Sequence, residues 1–195
     1  MAQQVSVFTP QRFATGFSYK DYIAQIKVNV DRFEDNLKTA KVSPEDAQAL
    51  RKLVQKPNGP AKMLVLGEDW CTDVVRGLPI LHRIAEAAGM ELRIFPRDQN
   101  LDIMNEFLKE GQFQSIPAVV FYTKDHRYIA HWIERPALAD KEMPEIRAAV
   151  AKEMAGADDQ AIRTASGERT RARFPAWQQE TVRELRAILT EKVGK

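Results

Sequence analysis

The stretch MLVLGEDWCTDV, residues 63–74, decides the fold of this chain. Residues 63–67 form an apolar run without helical spacing, which is typical of a buried strand. Residues 72–88 have the pattern of an amphipathic helix. Cys71 therefore falls at the first turn of that helix, where free amide N–H groups and the helix dipole stabilise an anion. A thiol in such a position can have its pKa lowered to roughly 3.5–7.5 from about 8.5.

Composition restricts the function classes. The chain has 195 residues, 44% hydrophobic and 29% charged, as expected for one soluble domain with additions. The net charge of +2 gives no reason to expect nucleic acid or membrane partners, and no apolar run approaches the length that spans a bilayer. The single cysteine excludes an intramolecular disulfide and a Cys-rich zinc site, and we expect no metal and no cofactor. The first 20 residues do not have the pattern of a secretory signal, so we expect a cytoplasmic protein.

Two helices are predicted before the buried strand. Apolar residues recur at three- and four-residue steps from 18 to about 41, which predicts one amphipathic helix, and Ser43 and Pro44 begin a second helix that ends near residue 55. Residues 1–17 are expected to form a docked or loose arm. We interpret these helices as a structural cover on a core, with partner binding as the alternative.

The centre of the chain predicts a mixed sheet. Residues 91–96 read as a second strand, parallel to the first because a helix connects them. A further helix is expected up to Gly111, followed by strands at 117–123 and 127–133 that form an antiparallel hairpin. The order is βαβαββα.

The C-terminal part is expected to be mainly helical. Residues 137–154 predict a helix that is kinked or restarted at Pro144, and Pro175 is expected to open the last helix. Between them, residues 156–173 suggest a polar loop or a short helix. Arginines cluster in this region with two aromatic residues nearby, and we favour a solvated segment over a nucleic-acid site because the chain is nearly neutral.

The motif Trp70-Cys71 after the first core strand, together with Ser115-Ile116-Pro117 before the third, resembles the thioredoxin family. More narrowly, the chain looks like a bacterial thioredoxin-like group with a helical N-terminal extension, a W-C-x-D-C motif and a strand that ends in P-R-D. Here the W-C-x-D-C motif stands at residues 70–74, with valine in place of its second cysteine, and the P-R-D element stands at residues 96–98. The resemblance implies an α/β thioredoxin-like fold, with a central mixed sheet, flanking helices and helical extensions at both ends. We therefore divide the chain into an N-terminal helical extension (1–59), a thioredoxin-like domain (60–155) and a C-terminal helical extension (156–195).

The resemblance also implies the site. Cys71 would be the nucleophile on the rim of the sheet, and a substrate would bind beside a cis peptide bond at Pro117, whose alternative reading is an ordinary first residue of a strand. The expected substrate-binding residues are Trp70, Thr72, Asp73, Arg97, Ile116 and Pro117. The expected partner is a protein or a low-molecular-weight thiol, and the oligomeric state is left open.

Two departures from the family pattern limit the chemistry. Val74 stands where the family has its resolving cysteine, and Val65 stands where thioredoxins have a buried aspartate. Valine can neither attack a mixed disulfide nor move a proton. The resemblance therefore does not extend to a dithiol cycle within one chain.

The charges near Cys71 have opposite effects on its pKa. Glu68, Asp69 and Asp73 disfavour a thiolate, whereas the helix N-terminus and Arg76 favour it. The sign of the net shift is left open at this stage.

Arg97 is expected on the same rim, where it could pair with the thiolate or an anionic ligand. The equal alternative is that Arg97 pairs with Asp98 or with another nearby carboxylate. Trp70 is expected to offer a partly exposed flat surface beside the thiol, with plain packing as the alternative.

Two functions remain. The first is a monothiol disulfide oxidoreductase, in which Cys71 forms mixed disulfides and an external thiol completes the exchange in cell redox homeostasis. The alternative is a redox-inactive module that binds a protein or peptide in the same groove. An iron–sulfur cluster fits poorly, because the C-G-F-S and Gly-Gly elements of monothiol glutaredoxins are absent.

Overall fold

A computed structural model describes residues 6–193. Its centre is a four-stranded mixed sheet with the strand order β2-β1-β3-β4. β1 and β2 are parallel, and β3 is antiparallel to both β1 and β4. The strands are β1 Lys62–Gly67, β2 Glu91–Pro96, β3 Ala118–Tyr122 and β4 Tyr128–Ile133. The mixed sheet and its order along the chain confirm the fold class that the sequence predicted.

Eight α-helices flank this sheet within residues 6–193. They are α1 Pro10–Ala14, α2 Tyr19–Gln25, α3 Val30–Thr39, α4 Pro44–Val54, α5 Thr72–Ala88, α6 Leu101–Met104, α7 Ala137–Glu153 and α8 Asp159–Val193. Ser43 caps α4 by accepting the Asp46 amide, and Gly89 ends α5 with a left-handed φ of 78°. None of these helices is long and apolar enough to cross a membrane.

The core lies between the sheet and α5. All side chains from Met63 to Leu66 in β1 are buried, and α5 buries most of its length against them. Both extensions join this core, through Phe33 and Leu50 on the N-terminal side and Leu185 on the C-terminal side. Of the predicted N-terminal arm, residues 6–17 dock through buried Phe8 and Phe13, and residues 1–5 lie outside the described part.

The prediction of a single helix over residues 18–41 is wrong, because two helices, α2 and α3, occupy this region. The region is interrupted between Gln25 and Val30, where Asn29 has a left-handed φ of 61°. Asp69 satisfies the interrupted backbone, because its Oδ2 accepts the amides of Lys27 and Val28 at 2.9 and 3.2 Å. The side-chain amide of Asn29 donates back to the Asp69 carbonyl at 2.8 Å. The interruption thus ties the N-terminal helices to the loop that carries Trp70 and Cys71.

Two other helix boundaries also differ from the prediction. The helix expected up to Gly111 ends at Met104, and Glu110 and Gly111, which both have positive φ, lie in a turn closed by Lys109 and Phe113. Residues 156–173, for which a polar loop or a short helix was expected, lie mostly in α8, which begins at Asp159 and continues through Pro175 instead of beginning there. Buried Phe174 and Trp177 pack against α7 on both sides of this proline, and that contact outweighs the missing N–H.

Candidate functional site

Cys71 is the N-cap residue of α5 and lies where β1 ends at the rim of the sheet. Its Sγ atom is 3.6 Å from the carbonyl oxygen of Ile116, and the Ile116–Pro117 peptide bond is cis. The thiol is half-buried, and Cys71 is a free cysteine. Residues 45 positions apart in sequence are therefore brought into contact at one edge of the sheet.

The environment raises the pKa of the Cys71 thiol. Burial is the largest cause, and the negative charge of Asp73 acts in the same direction. The nearby backbone N–H groups of Val74 and Asp73 oppose this rise, as does the charge of Arg135. The sequence left open the sign of the net shift in the pKa of Cys71. In the structure the shift is upward, so the thiol is mainly protonated at neutral pH.

Asp73 lies in a compact ionic cluster beside the thiol. Its Oδ1 is 2.8 Å from Nη2 of Arg76, and its Oδ2 is 3.0 Å from Nη2 of Arg135. Burial raises the pKa of Asp73, and the two arginines oppose that rise. Arg135 also pairs with Glu134 and lies 3.5 Å from Asp140. Asp73 is thus held by two cations, and its charge is locally compensated.

Arg135 is a residue that the sequence analysis missed. It follows β4, and Ile133 at the end of β4 pairs with Ala118 at the start of β3. The Glu134 amide donates to the Pro117 carbonyl at 2.7 Å, which fixes this segment beside the cis bond. The signal was available in the predicted hairpin, since antiparallel strands place the end of one beside the start of the other.

Trp70 and Arg97 form a flat surface at the rim. Trp70 is 52% exposed, and the guanidinium carbon of Arg97 is 5.2 Å from the centroid of its ring. Arg97 donates to Oδ1 of Asp98 at 2.8 and 2.6 Å and to the Gln114 carbonyl at 3.2 Å. The structure therefore shows the pairing with Asp98 that was the alternative to a direct pairing with the thiolate.

The other expected site residues differ in accessibility. Thr72 is exposed at the first position of α5, whereas Ile116 and Pro117 are buried beneath the rim. A Cβ atom placed on Gly77 would lie 3.5 Å from Cγ of Pro117, so α5 approaches this proline closely. Ile116 meets the thiol through its carbonyl oxygen, so the contact shown for this residue is a backbone contact.

The two valines at family positions are part of the core. Val65 and Val74 are fully buried, and a Cβ added to Gly67 would come within 2.9 Å of Cγ1 of Val74. Val74 therefore fills space directly beneath the loop that carries Cys71. Within residues 6–193, no three His, Cys, Asp or Glu side chains come together as a metal-binding cluster.

Comparison with known proteins identifies relatives of the fold. Residues 16–152 match the model of a family described as thioredoxin. A crystal structure of a protein of unknown function from Pseudomonas aeruginosa has a TM-score of 0.60 and 16% identity, with coverage of 92% of this chain and 95% of that one. An HIV epitope-scaffold has a TM-score of 0.61 and the same identity and coverage. No curated protein matches the sequence.

Proposed function

This chain belongs to the thioredoxin family, and on that premise we propose that its single thiol, Cys71, carries out slow monothiol exchange with disulfides as part of cell redox homeostasis in the cytoplasm. The observation that supports this proposal is the position of Sγ, half-exposed at the start of α5 and 3.6 Å from the Ile116 carbonyl. A disulfide that lies along the rim meets the sulfur beside Trp70.

The exchange balances without an internal second thiol. Cys71 loses its proton to solvent, its thiolate attacks one sulfur of a disulfide, and the other sulfur leaves as a thiolate with the bonding electrons. An external thiolate then attacks the substrate sulfur of the mixed disulfide and releases Cys71 as a thiolate. The external thiol is a protein or a low-molecular-weight thiol, because buried Val74 supplies none.

The raised pKa of Cys71 makes this exchange slow at neutral pH, since the thiolate is the attacking species. The rate of mixed-disulfide formation should therefore rise with pH and continue to rise above the usual pKa of a cysteine, about 8.5.

The test is to follow mixed-disulfide formation by intact mass across pH, with bis-hydroxyethyl disulfide, in the folded protein and in the same chain unfolded in urea. Cys71→Ser is the negative control. Formation in the folded protein, followed by release with an added thiol, supports the proposal. Formation only in the unfolded chain contradicts it.

A second candidate is a redox-inactive module that binds a protein or peptide at the same rim. Two observations favour it, the buried Val74 and the upward shift of the Cys71 pKa. A module of this kind would bind its partner equally well in wild type and Cys71→Ser, under reducing and nonreducing conditions. Partner capture that requires the sulfur and is reversed by a reductant would exclude this alternative.

A further inference from the structure

A polar cleft lies next to the turn that carries Cys71. Its volume is about 290 Å³, and its walls include Tyr22 and Gln25 from α2, Lys27 from the interruption that follows, and Glu68 and Asp69 from the loop after β1. The Cys71 amide donates to the Glu68 carbonyl at 3.2 Å, so one wall belongs to the same turn as the thiol. The interruption between α2 and α3, which Asp69 holds in place, forms the opposite wall.

The two carboxylates of this cleft are held by backbone amides. Oε1 of Glu68 accepts the Asp98 amide at 2.8 Å, and Oδ2 of Asp69 accepts two backbone amides. Neither residue takes part in any of the ion pairs formed among residues 6–193, although Asp73 and Asp98 on the same rim each have an arginine. Burial is the largest influence on Glu68 and raises its pKa. The charge of Arg97 opposes this rise, and a further cation bound beside Glu68 would act in the same direction.

Tyr22 provides an independent indication of a ligand. Its side chain is only 2% exposed and lines the cleft, yet its hydroxyl forms no hydrogen bond with the described residues. Burial raises the pKa of this phenol, and the charges of Glu68, Asp69 and Cys71 raise it further. Its oxygen can accept a hydrogen bond, as the free oxygens of the two carboxylates can.

We propose that this cleft binds a primary ammonium group, and that it gives Cys71 a preference for small thiols and disulfides that carry an amine close to the sulfur. An ammonium group has three N–H donors and no acceptor, which suits a cleft whose unused groups are acceptors. The small volume suits a short aminoalkyl chain. The inference rests on the monothiol exchange proposed above, and it assigns the N-terminal helices a role in substrate selection.

Lys27 lies in the same cleft and takes part in none of the ion pairs within the described part of the chain. Its ammonium group competes with an incoming one for the same carboxylates. Replacement by alanine keeps the backbone amide that Asp69 binds and removes the competitor. The variant Lys27→Ala should therefore strengthen the preference for an amine.

The experiment compares three symmetrical disulfides that differ in charge: cystamine, bis-hydroxyethyl disulfide and dithiodipropionate. The rate of mixed-disulfide formation at Cys71 is measured by intact mass at low ionic strength. Each rate is divided by the rate for the same chain unfolded in urea, which removes the intrinsic reactivity of the reagent. We expect the normalised preference for cystamine over dithiodipropionate to be about fivefold in the wild type and to decline with added salt.

Two variants remove the proposed contacts without large changes in shape. Glu68→Gln keeps an acceptor for the Asp98 amide but loses the charge, and Tyr22→Phe loses only the hydroxyl. Both should lower the preference, Glu68→Gln more strongly. Glu106→Gln is the matched control, because Glu106 also accepts a backbone amide, that of Val7 at 2.7 Å, but does not line this cleft.

The outcomes separate this inference from the proposal on which it rests. A preference that Glu68→Gln lowers and Glu106→Gln leaves unchanged supports the ammonium site. Equal normalised rates for all three disulfides, or a preference that Glu68→Gln does not alter, overturn the ammonium site and leave monothiol exchange standing. If the folded protein reacts with none of the three, both are overturned.

Discussion

Carboxylates lie on both sides of Cys71, but they have different partners on the two sides. On the side of α5, the Asp73 side chain is 15% exposed and is paired with Arg76 and Arg135. On the side of the preceding loop, Glu68 and Asp69 each accept backbone amides at one oxygen and form no ion pair within residues 6–193. The first side is closed, and the second side opens into a cleft.

The two extensions account for this difference. The guanidinium carbon of Arg76 lies 5.2 Å from the ring centroid of Trp177 and 5.8 Å from that of Phe174, so α8 covers the closed side. The N-terminal helices meet the other side through their interruption, which contributes the backbone amides of Lys27 and Val28. A carboxylate enclosed by arginines stabilises the fold, whereas one held at a single oxygen keeps an acceptor for a ligand.

The variant Arg76→Met removes one of the two ion pairs of Asp73 on the closed side. We expect it to have the largest effect on the free energy of unfolding. Arg76 is 2% exposed, and methionine keeps apolar contact with the two aromatic rings but leaves Asp73 with one cation. Loss of one partner from a buried ion pair costs about 3 kcal/mol in free energy of unfolding. Urea denaturation of the variant measures this loss. Arg83→Met, which breaks an exposed pair with Glu86, is the control and should cost less than about 0.5 kcal/mol. Equal losses in both variants would contradict the distinction drawn here.

The open side can be loosened with Asp69→Ala. The change removes the acceptor of the Lys27 and Val28 amides and should lower the free energy of unfolding by about 2 kcal/mol, the value typical of hydrogen bonds to a charged group. It should also speed proteolysis between α2 and α3. Asp35→Ala, which removes an exposed i,i+3 ion pair with Lys38, is the matched control and should have almost no effect. Cleavage sites mapped by mass spectrometry would show whether the interruption is the region that loosens.

The fold was largely predictable because its signals are local. The apolar run of β1, the proline and serine that begin α4, and the glycine that ends α5 each indicate their element within a few residues. The interruption at residues 26–29 was not predictable in this way. Ile26 and Val30 continue the helical spacing across it, and the acceptor that stabilises it is Asp69, about 40 positions away.

The candidate site was likewise predictable from the sequence only in part. The pair Cys71 and Pro117 was expected from the resemblance, and the contact of Sγ with Ile116 places them together. Arg135 and Tyr22 were missed because neither belongs to a motif, and tertiary structure brings Arg135 to Asp73 and Tyr22 to the cleft beside Glu68. The continuous α8 was missed because Pro175 is a helix breaker in isolation, while the burial of Trp177 against α7 depends on the folded chain.

Arg135→Gln tests how far the closed side controls the thiol. Arg135 lowers the pKa of Cys71 and compensates Asp73, so its loss should raise the pKa of Cys71 further. The rate of alkylation by iodoacetamide near neutral pH should fall about threefold, which corresponds to roughly 0.7 kcal/mol. Arg183→Gln removes an equal charge from an exposed pair on α8 and should leave the rate unchanged. An unchanged rate in Arg135→Gln would contradict the influence of Arg135 on the thiol.

The smallest expected effect is that of Cys71→Ser on the pH dependence of stability. It tests whether burial or the N-terminus of α5 decides the protonation state of the thiol. Burial raises the pKa of Cys71 in the folded state above its unfolded value, which is about 8.5. The unfolded chain therefore loses the thiol proton at a lower pH than the folded chain does. The stability that the protonated thiol contributes is complete below the unfolded pKa. It is lost as pH rises through the folded pKa. Cys71→Ser lacks this titration but keeps all others. The difference in free energy of unfolding between wild type and Cys71→Ser, measured in urea at a series of pH values, should be constant near neutral pH and should then shift against the wild type in mildly alkaline solution. A shift in favour of the wild type would mean that the amides of Asp73 and Val74 outweigh burial and that the thiolate is the favoured form.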